Sequence, residues 1–489
     1  MSNLTLPDRN IEDKVLSYDK ISECVKRTQY AVRGEIYLAA SERIKQGKKV
    51  IFTNVGNPHG LGQKPLTFPR QVMSLMMAPF LLEHPKVDQM FPPDAIARAK
   101  NYMNEVKGGL GAYSDSSGNP YIRGEVARFI ESRDGYPSNP NHIFLTNGAS
   151  EAVRNVLRCL IRGEYDGVMV PVPQYPLYSA SIALFNGCFV GYELDEKTGW
   201  ALDVNKLQTA LNTALAKGTC VRGLVFINPG NPTGQCLSKD DLITLVKFCY
   251  HNRLVLLADE VYQENIYRSR YPFTSAKKSM LELGEPYASG LELASFHTVS
   301  KGVYGECGLR GGYVELSNMD PRTLEEIYKI SSINLSPNIP GQVGVGLMCN
   351  PPRPGDFSYE SYTAEKVELL ESLKRRARLL TDVFNTMEGI TCQETEGALY
   401  SFPQITIPPA AVAEASRLGK NPDVFYCLEL LNETGLSTVP GSGFGQSEGT
   451  FHFRTTILPS EKDMGEVVEL FKSFHCGFMK KYSSLQAKL

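Results

Sequence analysis

Short, continuous runs of apolar residues recur through the middle of the chain, and polar turn residues follow each of them. Four of these runs lie at 143–146, 168–172, 224–227 and 254–258. Between them are stretches with apolar residues at helical spacing, including 151–161 and the segment after Ser238, where Asp241 completes a capping-box pattern. Apolar strands separated by amphipathic helices predict an α/β fold with a central, mostly parallel sheet covered on both faces.

The two ends of the chain differ from this middle part. The first 80 or so residues combine a polar helix with proline-rich loops, and the sequence PPRPGD at 351–356 is typical of a domain boundary. One face of a long predicted helix beyond it carries Leu369, Leu370, Leu373, Ala377 and Leu380. We therefore predict an N-terminal arm with part of a small domain at 1–85, a large domain at 86–350, and the rest of the small domain at 351–489.

Composition excludes several classes of protein. The 489 residues include 51 Lys and Arg against 53 Asp and Glu, for a formal net charge of −2, which argues against a nucleic-acid-binding protein. No apolar run approaches the roughly 18–20 residues of a membrane helix, and the N-terminal residues lack the apolar stretch of a secretory signal. Eleven cysteines without a CxxC pair favour unpaired thiols and no metal site. We expect a soluble intracellular protein.

Polar residues that could perform chemistry follow the apolar runs, where ligands of open parallel sheets bind. Ala149 and Ser150 stand where a strand passes into a helix, so their N–H groups and a hydroxyl could hold a phosphate. Arg310 could offer the same phosphate a bidentate guanidinium. The other candidates at strand ends and nearby loops are Tyr175, Asn231, Asp259, Tyr262, Thr298, Ser300 and Lys301.

Taken singly, each candidate has an ordinary role as a helix cap, a turn, a packing tyrosine or an exposed lysine. Together they match the needs of pyridoxal phosphate, which are a lysine for its aldehyde, an acid at its ring nitrogen and a phosphate cup. On this hypothesis Lys301 is the catalytic lysine, and Asp259 keeps the ring nitrogen protonated. Asn231 and Tyr262 would donate to the phenolic oxygen, and Tyr175 would supply an aromatic face over the ring.

The sequence also resembles a known family. The segments that carry the resemblance are QYAVRGEIY at 29–37, PQYPLYSASIAL at 173–184, ADEVYQENIY at 258–267, HTVSKGVYGECGLRGGY at 297–313 and VPGSGFGQ at 439–446. They are similar to the alanine aminotransferase family, within the fold-type-I aminotransferases that bind pyridoxal phosphate. The segments NVGNPHGLGQKPLTFPRQV, SFHTVSKG and ALYSFPQI most resemble the plant-type glutamate–glyoxylate aminotransferase branch.

This resemblance implies transamination between L-alanine or L-glutamate and a 2-oxo acid, with glyoxylate, pyruvate and 2-oxoglutarate as the implied acceptors. It implies that Arg454 clamps the substrate α-carboxylate, aided by Asn231 and the backbone of Gly56. Tyr113 would reach the phosphate of a neighbouring subunit, so that a homodimer shares its active sites. The peptide bond between Asn231 and Pro232 is expected to be cis.

Two positions depart from the family pattern. Asn147 stands where such proteins often have Asp, and Val303 stands where they often have an aromatic residue. Both flank the predicted site and neither is one of the required groups. The resemblance therefore predicts that these positions affect fine specificity rather than catalysis.

Other enzyme classes fit the sequence less well. A nicotinamide-dependent dehydrogenase needs GxGxxG after an early strand, whereas GSGFG at 441–445 has the wrong spacing and lies late in the chain. Ser275-x-x-Lys278 and Lys197-Thr198-Gly199 imitate a serine acyltransferase, but in reversed order. The alternatives that stay open are a strict cytosolic alanine:2-oxoglutarate aminotransferase and a decarboxylase or C–S lyase that uses the same cofactor.

The last three residues resemble a targeting signal. Ala487-Lys488-Leu489 is a small–basic–leucine tripeptide similar to the peroxisomal S-K-L signal. Because glyoxylate is commonly made in peroxisomes, the resemblance to a glyoxylate-using branch favours a peroxisomal location over a cytoplasmic one.

Overall fold

A computed structural model describes residues 14–30, 34–268 and 272–486. Its strands are β1 (Ile51–Phe52), β2 (Ile143–Thr146), β3 (Asp166–Val172), β4 (Cys188–Glu193), β5 (Cys220–Ile227), β6 (Val255–Asp259), β7 (Leu293–Thr298), β8 (Gly312–Ser317), β9 (Ile390–Thr391), β10 (Tyr400–Ser401), β11 (Gln404–Ile405), β12 (Leu436–Ser437), β13 (Val439–Pro440) and β14 (Phe453–Thr456).

The α-helices of the described residues are α1 (Glu23–Arg27), α2 (Glu35–Lys45), α3 (Thr67–Met77), α4 (Val87–Met90), α5 (Pro93–Glu105), α6 (Pro120–Asp134), α7 (Ala149–Leu160), α8 (Leu177–Leu184), α9 (Val204–Ala216), α10 (Lys239–His251), α11 (Ala276–Glu282), α12 (Tyr287–Gly290), α13 (Pro321–Ile333), α14 (Ile339–Cys349), α15 (Tyr359–Phe384), α16 (Pro409–Arg417), α17 (Pro422–Thr434) and α18 (Glu461–Gln486).

A seven-stranded sheet forms the centre of the fold, in the order β2-β8-β7-β6-β5-β3-β4. All of its strands run in the same direction except β8, which is antiparallel to both neighbours. The four apolar runs of the sequence form β2, β3, β5 and β6, and the predicted capping box starts α10 with both hydrogen bonds present. The prediction of an α/β fold with a mostly parallel sheet is confirmed.

Strand register places the chemistry at one edge of this sheet. Ile227 at the end of β5 is level with Asp259 at the end of β6, and Asp259 is level with Phe296 in β7. Since β7 and β8 are antiparallel and Thr298 pairs with Gly312, the loop between them closes on itself at the same edge. That loop carries Lys301 and Arg310, so the antiparallel pairing of β7 with β8 places both residues at this edge of the sheet.

A second core joins the two ends of the chain. Strand β1 pairs in parallel with β12, and β10, β14 and β13 form a small antiparallel sheet. Buried residues of α2 pack with those of α15, α17 and α18 in one hydrophobic cluster. The N-terminal and C-terminal segments therefore form this second core together.

The long helix α15 contacts two cores rather than one. Leu373, Ala377 and Leu380 are buried in the cluster that joins the chain ends, whereas Leu369 and Leu370 pack against the cluster of α3, α5 and α14. This helix of 26 residues therefore connects the two clusters. The domain boundaries at 85 and 350 stay a prediction, and α3 packs with the elements of the large predicted domain.

The part of the chain that the structure describes contains no helix long and apolar enough to cross a membrane. The tripeptide Ala487-Lys488-Leu489 lies outside the described residues.

Candidate active site

Asp259 ends β6 and is 5% exposed. The hydroxyl of Tyr178 donates to its Oδ2 at 2.8 Å, while its Oδ1 has no hydrogen-bond partner among the described residues. Burial raises the pKa of Asp259 to about 6, against the opposing effects of the Tyr178 hydroxyl, the Val261 N–H and the charge of Lys301. A buried, unpaired carboxylate oxygen is costly unless a donor arrives. Asp259 is therefore suited to accept a cationic N–H from a bound group.

Lys301 lies beside Asp259 in the loop between β7 and β8. Its Nζ donates to the carbonyl oxygen of Gly56 at 3.1 Å and lies 5.8 Å from the centre of the Tyr262 ring. A Cβ at Gly56 would lie 3.0 Å from this Nζ, so glycine allows the backbone to approach the amine. The structure thus brings Gly56 to the predicted catalytic lysine.

The predicted phosphate groups surround the N-terminus of α7. Arg310 donates to the Ser300 hydroxyl at 3.4 Å and to the Asn147 carbonyl oxygen at 3.1 Å. Gly148, which precedes the helix, has φ +83° and would place a Cβ 2.4 Å from Arg310 Nη2. Gly312 also leaves no room for a side chain, since a Cβ there would lie 2.7 Å from the backbone nitrogen of Ala149. Guanidinium and helix N–H groups therefore meet at one point, as an anion site requires.

Ser150 and Thr298 are two further predicted cofactor-binding residues. Ser150 is the second residue of α7. Thr298 donates its hydroxyl proton to the Gly311 carbonyl oxygen at 2.7 Å and also contacts Ser300 at 3.2 Å. Thr298 therefore holds the ends of the Lys301 loop together.

The two departures from the family pattern have local structural roles. The Asn147 side-chain oxygen accepts from both the backbone and the side-chain nitrogens of Asn338, each at 2.9 Å. Val303 is buried, and its carbonyl oxygen accepts from Gln63 at 3.0 Å. Asn147 therefore connects the segment before α14 to the N-terminus of α7.

The side-chain amide of Asn231 contacts both Tyr262, a predicted cofactor-binding residue, and Arg454, the predicted carboxylate clamp. Its Nδ2 donates to the Tyr262 hydroxyl at 3.3 Å, and its Oδ1 accepts from Arg454 at 3.0 Å. The bond from Asn231 to Pro232 is cis, as predicted. Burial raises the pKa of Tyr262 well above its ordinary value, which keeps its proton available for donation.

Arg454 in β14 is 1% exposed. Its guanidinium lies 4.2 Å from the centre of the Tyr400 ring and 4.7 Å from that of Phe444, and Nη2 donates to the Asn54 carbonyl oxygen at 2.5 Å. Its Nε has no hydrogen-bond partner among the described residues. A buried cation with an unused donor and no carboxylate partner is suited to bind a substrate carboxylate.

The two remaining predicted tyrosines differ in their surroundings. Tyr175 lies near the site, since its hydroxyl interacts electrostatically with Tyr400 and Arg454. The Tyr175 hydroxyl contacts the Tyr30 hydroxyl at 2.6 Å, and burial raises the pKa of Tyr175 well above its ordinary value. Tyr113 is 76% exposed, and the structure does not bring it to the other site residues of its own chain. Its predicted contact with a second subunit stays a prediction.

Sequence reasoning missed residues that contact the predicted ones. Tyr178 bonds to Asp259, Tyr400 contacts Tyr262 and Arg454, and Phe444 covers the guanidinium. Tyr178 and Phe444 lie within segments that carry the family resemblance, but nothing in their spacing distinguishes them from packing residues.

Two rival patterns are ordinary structural features. Ser275 is the N-cap of α11 and accepts from the Lys278 backbone N–H, so Ser-x-x-Lys is a helix start here. The GSGFG segment at 441–445 follows β13 and places Phe444 over Arg454. Neither builds the site that its alternative enzyme class requires.

Comparison with known proteins agrees with this geometry. The sequence model of aminotransferase class I and II matches residues 84–471. The chain is 59% identical over 471 residues to glutamate–glyoxylate aminotransferase 1 of Arabidopsis thaliana, covering 96% of this chain and 98% of that protein. It is 47% identical over 484 residues to human alanine aminotransferase 1, covering 96% of each. The solved alanine aminotransferase of Pyrococcus furiosus has the same fold, with a TM-score of 0.75 at 24% identity over 94% of this chain and all of that one.

Proposed function

The chain belongs to the class I and II aminotransferases, and we propose that it transfers the amino group of L-glutamate or L-alanine to glyoxylate, with pyruvate and 2-oxoglutarate as its other oxo acids. The observation that carries the proposal is the chain of contacts that connects Lys301 to Arg454. The Lys301 amine lies 5.8 Å from the Tyr262 ring centre, and Asn231 bonds to both Tyr262 and Arg454. The charge of Lys301 also acts on Asp259, which has one unpaired carboxylate oxygen. The names of the relatives support the choice of substrates.

Enzymes of this family use pyridoxal phosphate, which when bound draws electrons from the bonds at the substrate Cα. The residues present fit this cofactor. The free Oδ1 of Asp259 suits its ring N–H, and Arg310 with Ser300 and the N-terminus of α7 suits its phosphate. Lys301 is the amine for its aldehyde.

The protein side chains divide the remaining work. Arg454 binds the α-carboxylate and, with Asn231, fixes the direction of the Cα–H bond. Lys301 Nζ would take the proton from the substrate Cα as a general base and then, as a general acid, deliver it to the carbon of the cofactor that carried the aldehyde. Asp259 holds its charge in a buried position, where an opposite charge is stabilised more strongly than in water.

Arg454→Lys should raise KM for both amino and oxo substrates about tenfold or more, since an ammonium cannot reproduce two parallel N–H donors. Steady-state kinetics with glutamate, alanine and glyoxylate measure this effect. Arg43→Lys is a matched control, because Arg43 donates to backbone carbonyls far from the site. Unchanged KM values for every carboxylate substrate would assign the clamp to another residue.

The substrate pair is tested by comparing glyoxylate with pyruvate as acceptor while glutamate is the donor. We expect the higher kcat/KM with glyoxylate. A strict preference for 2-oxoglutarate with alanine would favour the alternative alanine aminotransferase. Release of carbon dioxide from glutamate would instead indicate a decarboxylase. Release of ammonia together with a thiol from an S-alkylcysteine would indicate a C–S lyase.

We propose a homodimer in which Tyr113 completes the neighbouring site. Met77, Phe80, Tyr113, Ile333 and Leu335 are large apolar side chains that are exposed in the single chain. Ser116 donates to the Leu335 carbonyl oxygen at 2.7 Å, so the segments of Tyr113 and Leu335 are neighbours on the surface. Mixing Lys301→Ala subunits with Tyr113→Ala subunits should restore one intact site per mixed dimer. No recovery of activity on subunit exchange would contradict site sharing.

We also propose that the last three residues direct the protein to peroxisomes. A fluorescent protein fused to the N-terminus, with and without deletion of Leu489, tests this. Puncta that disappear on deletion would support the proposal, and diffuse signal from both forms would overturn it.

A further inference from the structure

Tyr400 contacts both Tyr262 and Arg454. It lies in the ALYSFPQI segment at 398–405, where nothing in its spacing distinguishes it from a packing residue. It begins β10, next to β14, the strand that carries Arg454. The residue is 2% exposed. Both ends of this side chain contact groups with predicted roles.

The hydroxyl of Tyr400 lies on the cofactor side. It accepts the proton of the Tyr262 hydroxyl at 3.2 Å, while Tyr262 accepts from Asn231 at 3.3 Å. A Cβ at Gly56 would lie 2.2 Å from the Tyr400 hydroxyl and 3.0 Å from Lys301 Nζ. The phenol and the amine therefore approach the same point of the Gly56 backbone.

The ring of Tyr400 lies on the substrate side. Its centre is 4.2 Å from the Arg454 guanidinium carbon, which Phe444 also covers at 4.7 Å. A guanidinium over an aromatic face is attracted by the ring quadrupole, and more strongly when both are desolvated. The ring thus restricts the orientation of the group that binds the carboxylate.

The positive charges of Lys301 and Arg454 near the Tyr400 oxygen are consistent with the arrangement in which Tyr400 accepts the hydrogen bond from Tyr262. Burial acts to raise the pKa of Tyr400, but the charges of Lys301 and Arg454 and the bond from Tyr262 outweigh it, so the pKa lies below its ordinary value. The neighbouring Tyr262 has a raised pKa because of its burial. Both shifts agree with a proton that stays on Tyr262 and points to Tyr400.

We propose that Tyr400 is a positioning residue that connects the two halves of the site. Its hydroxyl competes with the cofactor's phenolic oxygen for the Tyr262 proton, and its ring holds Arg454 in its carboxylate-binding orientation. This inference rests on the proposed function and adds a residue to that same site.

Tyr400→Phe keeps the ring and removes the acceptor. In the cofactor-loaded variant, Tyr262 then donates to the phenolic oxygen alone and stabilises its anionic form. The midpoint of the pH titration of the cofactor's visible absorption should therefore move to lower pH by about half a unit or more, the effect of a single hydrogen bond. A midpoint equal to that of the wild-type enzyme, or one at higher pH, would overturn the proposal.

Tyr426→Phe is the matched control, since Tyr426 is a buried tyrosine of the same hydrophobic cluster whose hydroxyl contacts His475 at 3.1 Å rather than Tyr262. Its titration midpoint should equal that of the wild-type enzyme. An equal shift in the control would overturn a specific role for Tyr400.

Tyr400→Leu removes the ring as well and tests the substrate side. KM for glutamate and for glyoxylate should rise about fivefold or more, while Tyr400→Phe should change them less than about twofold. Equal KM values in the two variants would overturn the role of the ring. If Tyr400→Leu does not fold, the titration of Tyr400→Phe decides the proposal. Wild-type enzyme without transaminase activity would overturn the proposed function itself, which is a different outcome.

Discussion

Lys301→Ala should lose transamination by about 10⁴-fold or more while the protein still folds and binds its cofactor. General acid–base groups contribute typically about 10²–10⁴-fold, and this variant also loses the covalent link to the cofactor. Binding should persist because Asp259, Arg310 and the N-terminus of α7 remain in place. Single-turnover kinetics with glutamate, together with the absorption of the bound cofactor, measure both effects.

Lys64→Ala is a suitable control, because Lys64 is an exposed lysine in the polar loop that follows the Gly56 segment. It should keep wild-type turnover. If Lys301→Ala also kept wild-type turnover, Lys301 would not be the proton carrier and the assignment of the site would be wrong.

Asp259→Asn should slow the exchange of the Cα hydrogen of alanine by about 10²-fold or more. An amide cannot balance a protonated ring nitrogen, and removing one such buried electrostatic group typically costs about 10²–10³-fold. The Tyr178 hydroxyl can still donate to the amide oxygen, so the local fold should persist. Deuterium exchange measured by NMR tests the effect, and unchanged exchange would make Asp259 a turn residue only.

The stability of the cofactor-free protein provides a second test of Asp259. Its folded-state pKa of about 6 lies above the ordinary value of 3.8, so the folded state holds the proton more tightly than the unfolded state. Ionisation therefore destabilises the cofactor-free fold as pH rises from about 4 to 6, by up to about 3 kcal/mol. The melting temperature of Asp259→Asn relative to wild type should increase over that range.

Glu260→Gln is the matched variant for this experiment. Glu260 is the next residue, and its buried carboxylate accepts from the Ala276 N–H at 2.7 Å, away from the cofactor site. Burial raises the pKa of Glu260 to about 7, so its stability difference should grow at higher pH, while activity is retained. A pH-independent difference for Asp259→Asn would contradict the burial of an unpaired charge at Asp259.

The sequence predicts site residues best where a polar residue follows an apolar strand, because its position at the sheet edge and its chemistry are then both evident. Asp259 and Asn231 could be placed because each follows an apolar run of a parallel sheet, and such runs end at a common edge. Lys301 and Arg310 are candidates from the same pattern, because they follow the apolar run around Phe296. Their position depends on the antiparallel pairing of β7 and β8, which no periodicity in the sequence predicts.

The residues missed by sequence reasoning make contacts between distant segments. Tyr178 reaches Asp259 across 81 positions, and Tyr400 reaches Tyr262 across 138 positions. Such tyrosines occupy positions in the hydrophobic pattern that are typical of core residues. Only the packing of distant segments in three dimensions shows that they contact site residues. The Arg454 site has the same character, since Asn54 and Phe444 come from opposite ends of the chain.

The half-reaction tests the central claim most directly. Cofactor-loaded enzyme is mixed with glutamate alone, and the absorption of the bound aldehyde form is followed together with release of carbon dioxide and ammonia. We predict full conversion to the amine form with one 2-oxoglutarate released per site, no carbon dioxide or ammonia, and recovery of the aldehyde form when glyoxylate is added. Release of either gas, or an amine form that glyoxylate does not reconvert, would contradict it.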